Sequence, residues 1–207
     1  MAKYPKTLGR IEAVWNKLGG EEGVDRFLRG ELSVSEPARR WREENGVISF
    51  TVMSDGTTGP RWIPRLEKNG FHIGDHAKNV LRSLDFKPTS GVTTEIEVLK
   101  GILFDSPSRI TSKIRAEARR RNLEKPNAEV ACLIREMFPD KEIEAMGLCL
   151  IMAMHEPIKD SDDDLLRLLI SSSLGHGGRW LGALEDWPDA GRSRDSGLAF
   201  AKSSTSA

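Results

Sequence analysis

The stretch Leu148–Met154, LCLIMAM in one-letter code, divides the sequence into two parts of different character. It is a short apolar run between Gly147 and a polar loop, a pattern typical of a buried strand. Three later runs, Leu165–Ile170, Arg179–Leu184 and Gly197–Ala201, have the length and composition of strands. Because polar and glycine-rich connections separate these runs, the pattern predicts a β-meander over the C-terminal third.

Toward the N-terminus, helical patterns predominate. Apolar residues recur at the helical period over Ile11–Leu18, and Ser35 can cap a helix over Glu36–Glu44. A longer helix is expected over Ser108–Asn122. The segment Val92–Phe104 fits a strand by one set of apolar positions and a helix by another, and we favour the helix.

One segment in this part departs from helical spacing. Val47–Val52 is β-branched and aromatic, which predicts a short strand near residues 47–53. It follows Asn45-Gly46, where the preceding helix is expected to end. The sequence therefore predicts an α+β protein, with a mainly helical region over residues 1–140 and a β-rich region over residues 141–207. No long flexible linker separates the two regions, so they could share one core.

The overall charge balance hides a local imbalance. The chain has 207 residues, with 31 Lys and Arg against 31 Asp and Glu. Zero net charge excludes a uniformly basic nucleic-acid coat protein, but it leaves room for local patches. Residues 105–141 contain nine basic and six acidic residues, whereas residues 142–207 contain six and eleven. The basic stretch could dock the acidic C-terminal part within one fold, or the two could serve different partners.

Compartment signals favour a cytoplasmic protein with no membrane partner. The longest nearly apolar run, Gly147–Met154, is far shorter than the roughly 20 residues that a membrane-spanning helix needs. No export signal opens the sequence. The two cysteines, Cys132 and Cys149, lie in apolar surroundings without zinc or redox spacing, so we expect two buried free thiols.

An acidic loop over residues 160–164 resembles a calcium site only in part. Asp160, Asp162 and Asp164 alternate like the first ligands of a calcium loop. However, Leu165 stands where that loop requires glycine, and Ser171 stands where it requires a bidentate glutamate. A solvated acidic loop is the favoured interpretation, with cation binding as the alternative.

The histidines also lack a complete catalytic or metal-binding pattern. His72 and His76 are four residues apart, but a glycine interrupts the segment and no third ligand is evident. The His155-Glu156 pair lacks the second histidine of a metalloprotease motif, because Lys159 occupies its place. The sequence also contains no nucleophile elbow. We therefore predict no cofactor and no metal, and the sequence favours a non-enzymatic protein.

A basic helix is the alternative candidate for a functional surface. Such a helix can neutralise phosphates and bind nucleic acid in a salt-sensitive way. Glu117 and Glu124 moderate its charge and no aromatic residues interleave it, so a solvent-facing helix is favoured. Its candidate contacts within residues 109–125 are Arg115, Arg119, Arg120, Arg121 and Lys125.

The most unusual composition lies in Ser171–Phe200, where small, polar and aromatic residues mix without amphipathic period. Binding loops favour this mixture, because rigid aromatic anchors combine with adaptable polar contacts. The alternative is a meander whose Trp180 and Leu181 pack inward and whose loops are merely solvated. The predicted ligand-binding residues, with Trp180 as scaffold, are Arg179, Trp180, Trp187, Asp189, Arg192, Arg194 and Asp195.

Five segments resemble an uncharacterised protein family common in candidate-phylum, Parcubacteria-type bacteria. They are Leu18–Val24, Phe27–Leu32, Ser54–Gly59, Phe86–Thr93 and Met154–Ile158. The resemblance spans nearly the whole chain but implies no activity. Members end in a G-R-W-L…P…G-F-A-F pattern, which this chain matches at Gly178–Leu181, Pro188 and Gly197–Phe200, with Leu198 replacing the first phenylalanine.

The same ending is weakly similar to C-type-lectin-like variable proteins of diversity-generating retroelements. Gly177–Trp180 and Gly197–Phe200 carry the similarity to their G-G-S-W…G-F-R tail. The resemblance implies a β scaffold that presents variable side chains to a ligand. We therefore expect a binding or interaction protein that recognises an unknown protein or small ligand through C-terminal β-loops. The alternative is a nucleic-acid-associated accessory protein.

Overall fold

The computed structural model describes residues 6–33, 39–160, 164–172 and 179–203. Backbone contacts divide the chain into two compact units, Met1–Arg39 and Arg40–Ala207. The first unit contains two helices, α1 (Lys6–Leu18) and α2 (Gly20–Leu28). Gly19 joins them with a φ of 93°, a left-handed conformation that glycine adopts without steric cost.

The second unit is built around a mixed sheet. Its described strands are β1 (Arg42–Glu44), β2 (Val47–Asp55), β3 (His72–Ile73), β4 (Ser90–Lys100), β5 (Leu123–Glu124), β6 (Leu150–Ala153), β7 (Ile158–Lys159), β8 (Leu165–Ser171), β9 (Trp180–Glu185) and β10 (Ser196–Lys202). The order across the sheet is β1-β2-β4-β10-β6-β8-β9-β3, with β5 paired to β10 and β7 to β8. The pairs β10–β6 and β3–β9 are parallel, and the other strand pairs are antiparallel.

Helices cover both faces of this sheet. They are α3 (Gly59–Lys68), α4 (Asp75–Arg82), α5 (Thr111–Arg120), α6 (Glu129–Met137) and α7 (Asp140–Ala145), with 3₁₀ turns at Gly101–Leu103 and Ser106–Ser108. Apolar side chains of α3, α4, α6 and α7 form one core against the sheet, and those of α5 belong to a second core. Both cysteines are free, with Cys132 buried and Cys149 half-buried.

The prediction of a helical N-terminal two-thirds is wrong. Strands β1, β2 and β4 all lie within residues 1–140 and form one half of the sheet. Asn45 and Gly46 do not end a helix but form the turn between β1 and β2, with φ values of 50° and 76°. Two successive positive φ values are the signature of a tight hairpin turn, and Asn-Gly is its preferred sequence. Arg42–Glu44 is consequently strand, whereas the expected cap Ser35 and residues 36–38 of the predicted helix lie outside the described residues.

The helix favoured over Val92–Phe104 is also wrong, because residues 92–100 belong to β4 and only Gly101–Leu103 forms a 3₁₀ turn. That strand pairs with β2 on one side and β10 on the other. Its side chains alternate between the two cores, with Ile96 and Val98 in the first and Leu99 in the second. Strand pairing on both edges therefore outweighs the helical spacing that the segment also has.

The C-terminal third is not a meander, although its predicted strands exist. Strands β8 and β9 form an antiparallel pair, but β10 leaves them and lies between β4 and β6. Both faces of β10 are buried, with Leu198 and Phe200 in the second core and Ala199 in the first. An apolar strand of this kind needs a central position, which the meander would not provide. Among the described residues, no helix has the length and apolar character needed to cross a membrane.

Candidate functional site

The seven predicted ligand-binding residues lie at three separate places. Arg179 and Trp180 lie at the start of β9, and Trp187, Asp189 and Arg192 lie in the segment after its end. A strand of six residues extends roughly 17 Å, so these two groups cannot share one small site. The third group, Arg194 and Asp195, lies directly before β10.

At the start of β9, Trp180 packs against a neighbouring strand. Its half-buried ring lies 5.2 Å from the His72 ring, centroid to centroid. The main-chain N–H of His72 donates to the Arg179 carbonyl oxygen at 2.9 Å, so β3 is fixed to this end of β9. Arg179 is exposed and has a positive φ of 66°. These contacts give Trp180 a scaffold role, while residues 173–178 before it lie outside the described residues.

Before β10, hydrogen bonds hold Asp195 within its own turn. Its carbonyl oxygen accepts the Cys149 main-chain N–H at 2.9 Å. Hydrogen bonds from the side chains of Ser193 and Cys149 lower the pKa of the Asp195 carboxyl group. Arg194 is exposed beside it. This turn is therefore a structural connection into β10.

Two members of the middle group, Trp187 and Arg192, line a surface cavity of about 370 Å³, whereas Asp189 is exposed outside its lining. Strand β3 pairs with β9 only at Trp180 and Leu181, so among the described residues no strand covers β9 beyond Leu181 on that side. The start of α4 and the segment after β9 close the space. Side chains that line it include His76, Asp164, Leu184, Glu185, Trp187 and Arg192.

The segment after β9 is held firmly on the start of α5. The Ser112 N–H donates to the Pro188 carbonyl at 2.9 Å, and the Thr111 N–H donates to the Ala190 carbonyl at 3.2 Å. The first N–H groups of a helix have no partner within the helix, so these carbonyls satisfy them. The Arg192 N–H in turn donates to the Arg109 carbonyl at 2.8 Å. The loop that carries Trp187 and Arg192 is thus bonded along its length.

Trp187 supplies the aromatic surface of the cavity. It is 63% exposed, and its indole Nε1 donates to the Glu185 carboxylate. That hydrogen bond orients the ring, while most of its apolar surface stays uncovered. An exposed tryptophan on a fixed loop is a rigid anchor for an apolar ligand group.

Arg192 supplies the positive charge. Its Nε and Nη2 donate to the Thr111 hydroxyl oxygen at 3.2 and 2.9 Å. These bonds use two of the five N–H donors of a guanidinium group. Thr111 is buried at the first residue of α5, so it fixes the Arg192 head group. The remaining donors of Arg192 are left for other contacts, including a ligand.

Two more arginines, Arg115 and Arg167, lie near Arg192, and these two share one carboxylate. Asp186 forms ion pairs with Arg115 and with Arg167. Burial lowers the pKa of all three guanidinium groups, that of Arg167 to about 9, and the charge of Arg115 lowers the pKa of Arg167 and Arg192 further. All three stay protonated at neutral pH. Asp186 and, at longer range, Glu156 oppose the charges of Arg115 and Arg167, so Arg192 is the arginine of this group that has no carboxylate ion pair among the described residues.

His155, by contrast, has no free ring nitrogen for chemistry. Its Nδ1 bonds to the Glu156 carbonyl at 2.6 Å, and its Nε2 accepts the Leu168 N–H at 2.9 Å. Burial lowers the pKa of this imidazole to about 4. The His155-Glu156 pair is thus a structural element that joins the chain to β8. In the described part of the chain, no three His, Cys, Asp or Glu side chains form a group that could hold a metal ion.

The residues of the nucleic-acid alternative are mostly paired with carboxylates. Arg115 pairs with Asp186, and Lys125 pairs with Glu156. Arg120 and Arg121 both pair with Glu117. A second cavity, of about 590 Å³, lies along this helix and is lined by Phe104, Ser108, Lys113, Ala116, Arg119 and Arg120. Among the described residues, no carboxylate lies within 4 Å of Lys113 or Arg119, and both are exposed.

Sequence reasoning missed the residues that complete the cavity and its charge cluster. Thr111 comes from a helix far from Trp187 in sequence, and nothing local marks it, whereas the sequence indicates His76 only as a candidate metal ligand together with His72. Arg167 did carry a signal, because an arginine within the apolar run Leu165–Ile170 must find a buried partner. Asp186, next to Trp187, is that partner.

Searches against protein-family models, curated proteins and solved structures found no match to this chain. The two resemblances drawn from its sequence motifs therefore stay predictions, and function must be inferred from the geometry.

Proposed function

We propose that this protein is a non-enzymatic binding protein whose ligand occupies the cavity at the end of β9. The observation that carries the proposal is Trp187, which is 63% exposed beside that cavity on a loop bonded to α5. Leaving a large aromatic side chain uncovered favours a partner that buries it. The cavity volume of about 370 Å³ lies within the usual range for small-ligand sites.

Arg192 indicates the class of ligand. It lines the cavity and has no carboxylate ion pair among the described residues, whereas Arg115 and Arg167 are paired with Asp186. A carboxylate or phosphate would gain charge-assisted hydrogen bonds from the free donors of Arg192. We therefore propose a small anionic ligand with an apolar or aromatic part that packs on Trp187. The nearby carboxylates of Asp164 and Glu185 favour a ligand that also carries N–H or O–H donors.

Ligand-observed NMR with simple aromatic probes tests this proposal. Benzoate and phenyl phosphate are expected to bind with low affinity. Their affinity should still be at least about tenfold higher than that of neutral benzyl alcohol, because the anions gain a charge-assisted contact. Arg192→Gln should remove the preference for the anions, and Trp187→Ala should weaken all three probes.

Arg194→Gln is the matched control, because Arg194 is an exposed arginine outside the cavity lining. It should leave the affinities unchanged. Equal binding of the anions to wild type and to Trp187→Ala would contradict the site. Loss of binding in Arg194→Gln would move it to the turn before β10.

The retroelement resemblance would make this loop a diversified surface, since Trp187 and Arg192 fall within Ser171–Phe200. We retain that idea as a proposal about relatives of this chain. Its test is a comparison of paralogues from one genome. Near-identity across residues 171–196 would contradict it.

A second candidate function, nucleic-acid binding, is favoured by Lys113 and Arg119. Both are exposed, lack a carboxylate partner among the described residues and line the cavity along α5. Fluorescence anisotropy with a labelled single-stranded oligonucleotide at low salt tests it. Lys113→Gln combined with Arg119→Gln should abolish binding, whereas Arg179→Gln should not, and absence of binding to wild type would contradict it.

A further inference from the structure

The helical unit at the N-terminus does not cover its own apolar face. Ile11, Val14 and Trp15 of α1 are 62%, 57% and 42% exposed, and Phe27 and Leu28 of α2 are 40% and 75% exposed. Their spacing places them on one face of each helix. The two faces enclose a groove of about 400 Å³ whose lining is apolar except for Arg10. Such clustering differs from the single exposed apolar residues that are normal on surfaces.

The two helices are joined so closely that they form one surface. Gly19 and Gly20 have φ values of 93° and 78°, so the chain reverses without a longer loop. Gly23 is buried, and a methyl group there would lie 1.5 Å from the Leu18 carbonyl oxygen. Only glycine allows α2 to approach the end of α1 at that distance. The groove is therefore a fixed feature of the hairpin.

This unit is too small to be stable with its apolar face in water. It spans Met1–Arg39, and its helices contain 13 and 9 residues. Helices of this length are marginal in isolation, and units below about 40 residues usually need a staple or a partner. A covering surface would supply the missing hydrophobic burial.

Charge identifies a partner that fits. The sequence of α1 has three basic residues and one acidic residue, a net charge of +2, whereas α2 has three acidic residues and one basic residue, a net charge of −2. Among the described residues, no ion pair joins α1 to α2, and Arg26 of α2 pairs with Glu31 beyond the helix. The face is thus complementary to itself when α1 of one copy lies against α2 of another.

We propose that the apolar face of the α1–α2 hairpin is the interface of a homodimer, in which two hairpins pair about a twofold axis into a four-helix arrangement. An isologous interface requires one patch that complements itself, and this hairpin has both the shared apolar groove and the opposite charges. The inference concerns a different surface from the ligand cavity at the end of β9 and does not depend on it.

Sedimentation equilibrium of the full chain over a hundredfold range of concentration tests the proposal. Wild type should shift from monomer to dimer. Ile11→Glu and Leu28→Glu should each weaken the dimer at least about tenfold, because each places a charge in the interface. Leu84→Glu is the matched control, since Leu84 is 90% exposed in the second unit, and it should dimerise like wild type. Circular dichroism should show that all three variants keep the strand signal of the second unit, and any loss of helix content should be confined to Ile11→Glu and Leu28→Glu, whose hairpin is no longer covered.

A charge exchange separates this interface from any other apolar contact. Arg10→Glu with Lys17→Glu makes α1 negative, and Glu21→Lys with Glu22→Lys makes α2 positive. Each double variant alone should remain monomeric, because its two hairpins would pair like charges. An equimolar mixture should form a heterodimer, because one hairpin is then negative and the other positive, which an interface without charge complementarity would not predict.

A wild-type chain that stays monomeric at the highest concentration overturns the proposal. If hydrogen exchange of that monomer shows protection of α1 and α2, the face is covered by the same chain instead. A dimer that survives Ile11→Glu and Leu28→Glu together also overturns it, because the contact then lies elsewhere. A dimer whose charge variants fail to recombine contradicts the pairing of α1 with α2.

Discussion

The inward and outward sides of α5 carry the same kinds of residues in different surroundings. On the inward side, Arg115 shares Asp186 with Arg167, and the side chains of Arg167 and Asp186 are 2% and 8% exposed. On the outward side, Arg120 and Arg121 share Glu117, and Arg120 is 78% exposed. Both sides place two arginines on one carboxylate, but only the inward cluster is shielded from water.

The difference in solvent exposure between the two sides of α5 indicates which charged residues of the basic stretch contribute to stability. The pairs Arg115–Asp186 and Lys125–Glu156 connect this stretch to the acidic C-terminal part. The excess of basic residues in one segment and that of acidic residues in the other therefore partly cancel within the fold. A buried charge without its partner is costly, whereas an exposed pair exchanges its partner for water at little cost. Stability should therefore depend strongly on the inward cluster and weakly on the outward one.

The largest expected effect comes from Asp186→Asn. It removes the carboxylate that Arg115 and Arg167 share and leaves the buried Arg167 guanidinium without its ion-pair partner. We expect the free energy of unfolding to fall by about 3–5 kcal/mol. Urea denaturation followed by circular dichroism measures this change.

The variant Asp189→Asn is the control for that experiment, because Asp189 is an exposed aspartate three residues after Asp186. Its effect should stay within about 0.5 kcal/mol. A loss below about 1 kcal/mol in Asp186→Asn would mean that Arg115 and Arg167 do not depend on this carboxylate, and the difference between the two sides of α5 would disappear.

Local patterns predicted several strands correctly but not their neighbours. The apolar runs over Val47–Val52, Leu165–Ile170 and Gly197–Ala201 coincide with β2, β8 and β10, because burial on both or one face of a strand is visible in composition. The position of β10 between β4 and β6 is set by long-range pairing, which no local pattern encodes. The apolar positions of Val92–Phe104 fit both the strand and the helix period. For the same reason, only pairing with β2 and β10 decides that most of this segment is a strand.

The candidate site was predictable in part. Trp187 and Arg192 were found because the composition of their segment is typical of binding loops. Arg194 and Asp195 share that composition but lie in the turn into β10, so composition could not separate anchors from connections. Thr111 fixes Arg192 across 81 positions of sequence, a contact that depends on the whole fold.

The pH dependence of stability tests whether the inward cluster is shielded from water. His155 reports on this cluster, because its main-chain carbonyl accepts a hydrogen bond from Arg167 Nε at 2.6 Å. Burial lowers the pKa of His155 from 6.5 to about 4 in the folded state. Between these values the unfolded chain binds the proton and the folded chain does not, so stability is complete above pH 6.5 and falls as the pH drops toward 4. The loss should reach about 3 kcal/mol.

Stability measured by urea denaturation at several pH values isolates this contribution. His155→Gln keeps an acceptor for the Leu168 N–H but cannot be protonated, so its stability should vary less between pH 6.5 and 4. An equal slope in wild type and in His155→Gln would show that the imidazole is not shielded as the fold implies. The Thr57 hydroxyl and Arg65 lower the pKa of Asp55 to about 2. Protonation of Asp55 therefore reduces stability only at a pH below this range.

The smallest effect is expected on the outward side, from Glu117→Gln. Arg120 and Arg121 lose their ion pairs but remain in contact with water, so the free energy of unfolding should change by less than about 1 kcal/mol. The same substitution frees two cations beside Lys113 and Arg119, which should raise any affinity for a single-stranded oligonucleotide and steepen its salt dependence. A destabilisation as large as that of Asp186→Asn would show that solvent exposure does not separate the two sides of α5. Unchanged oligonucleotide binding with a small stability loss would instead mean that the outward arginines serve only as a solvated surface.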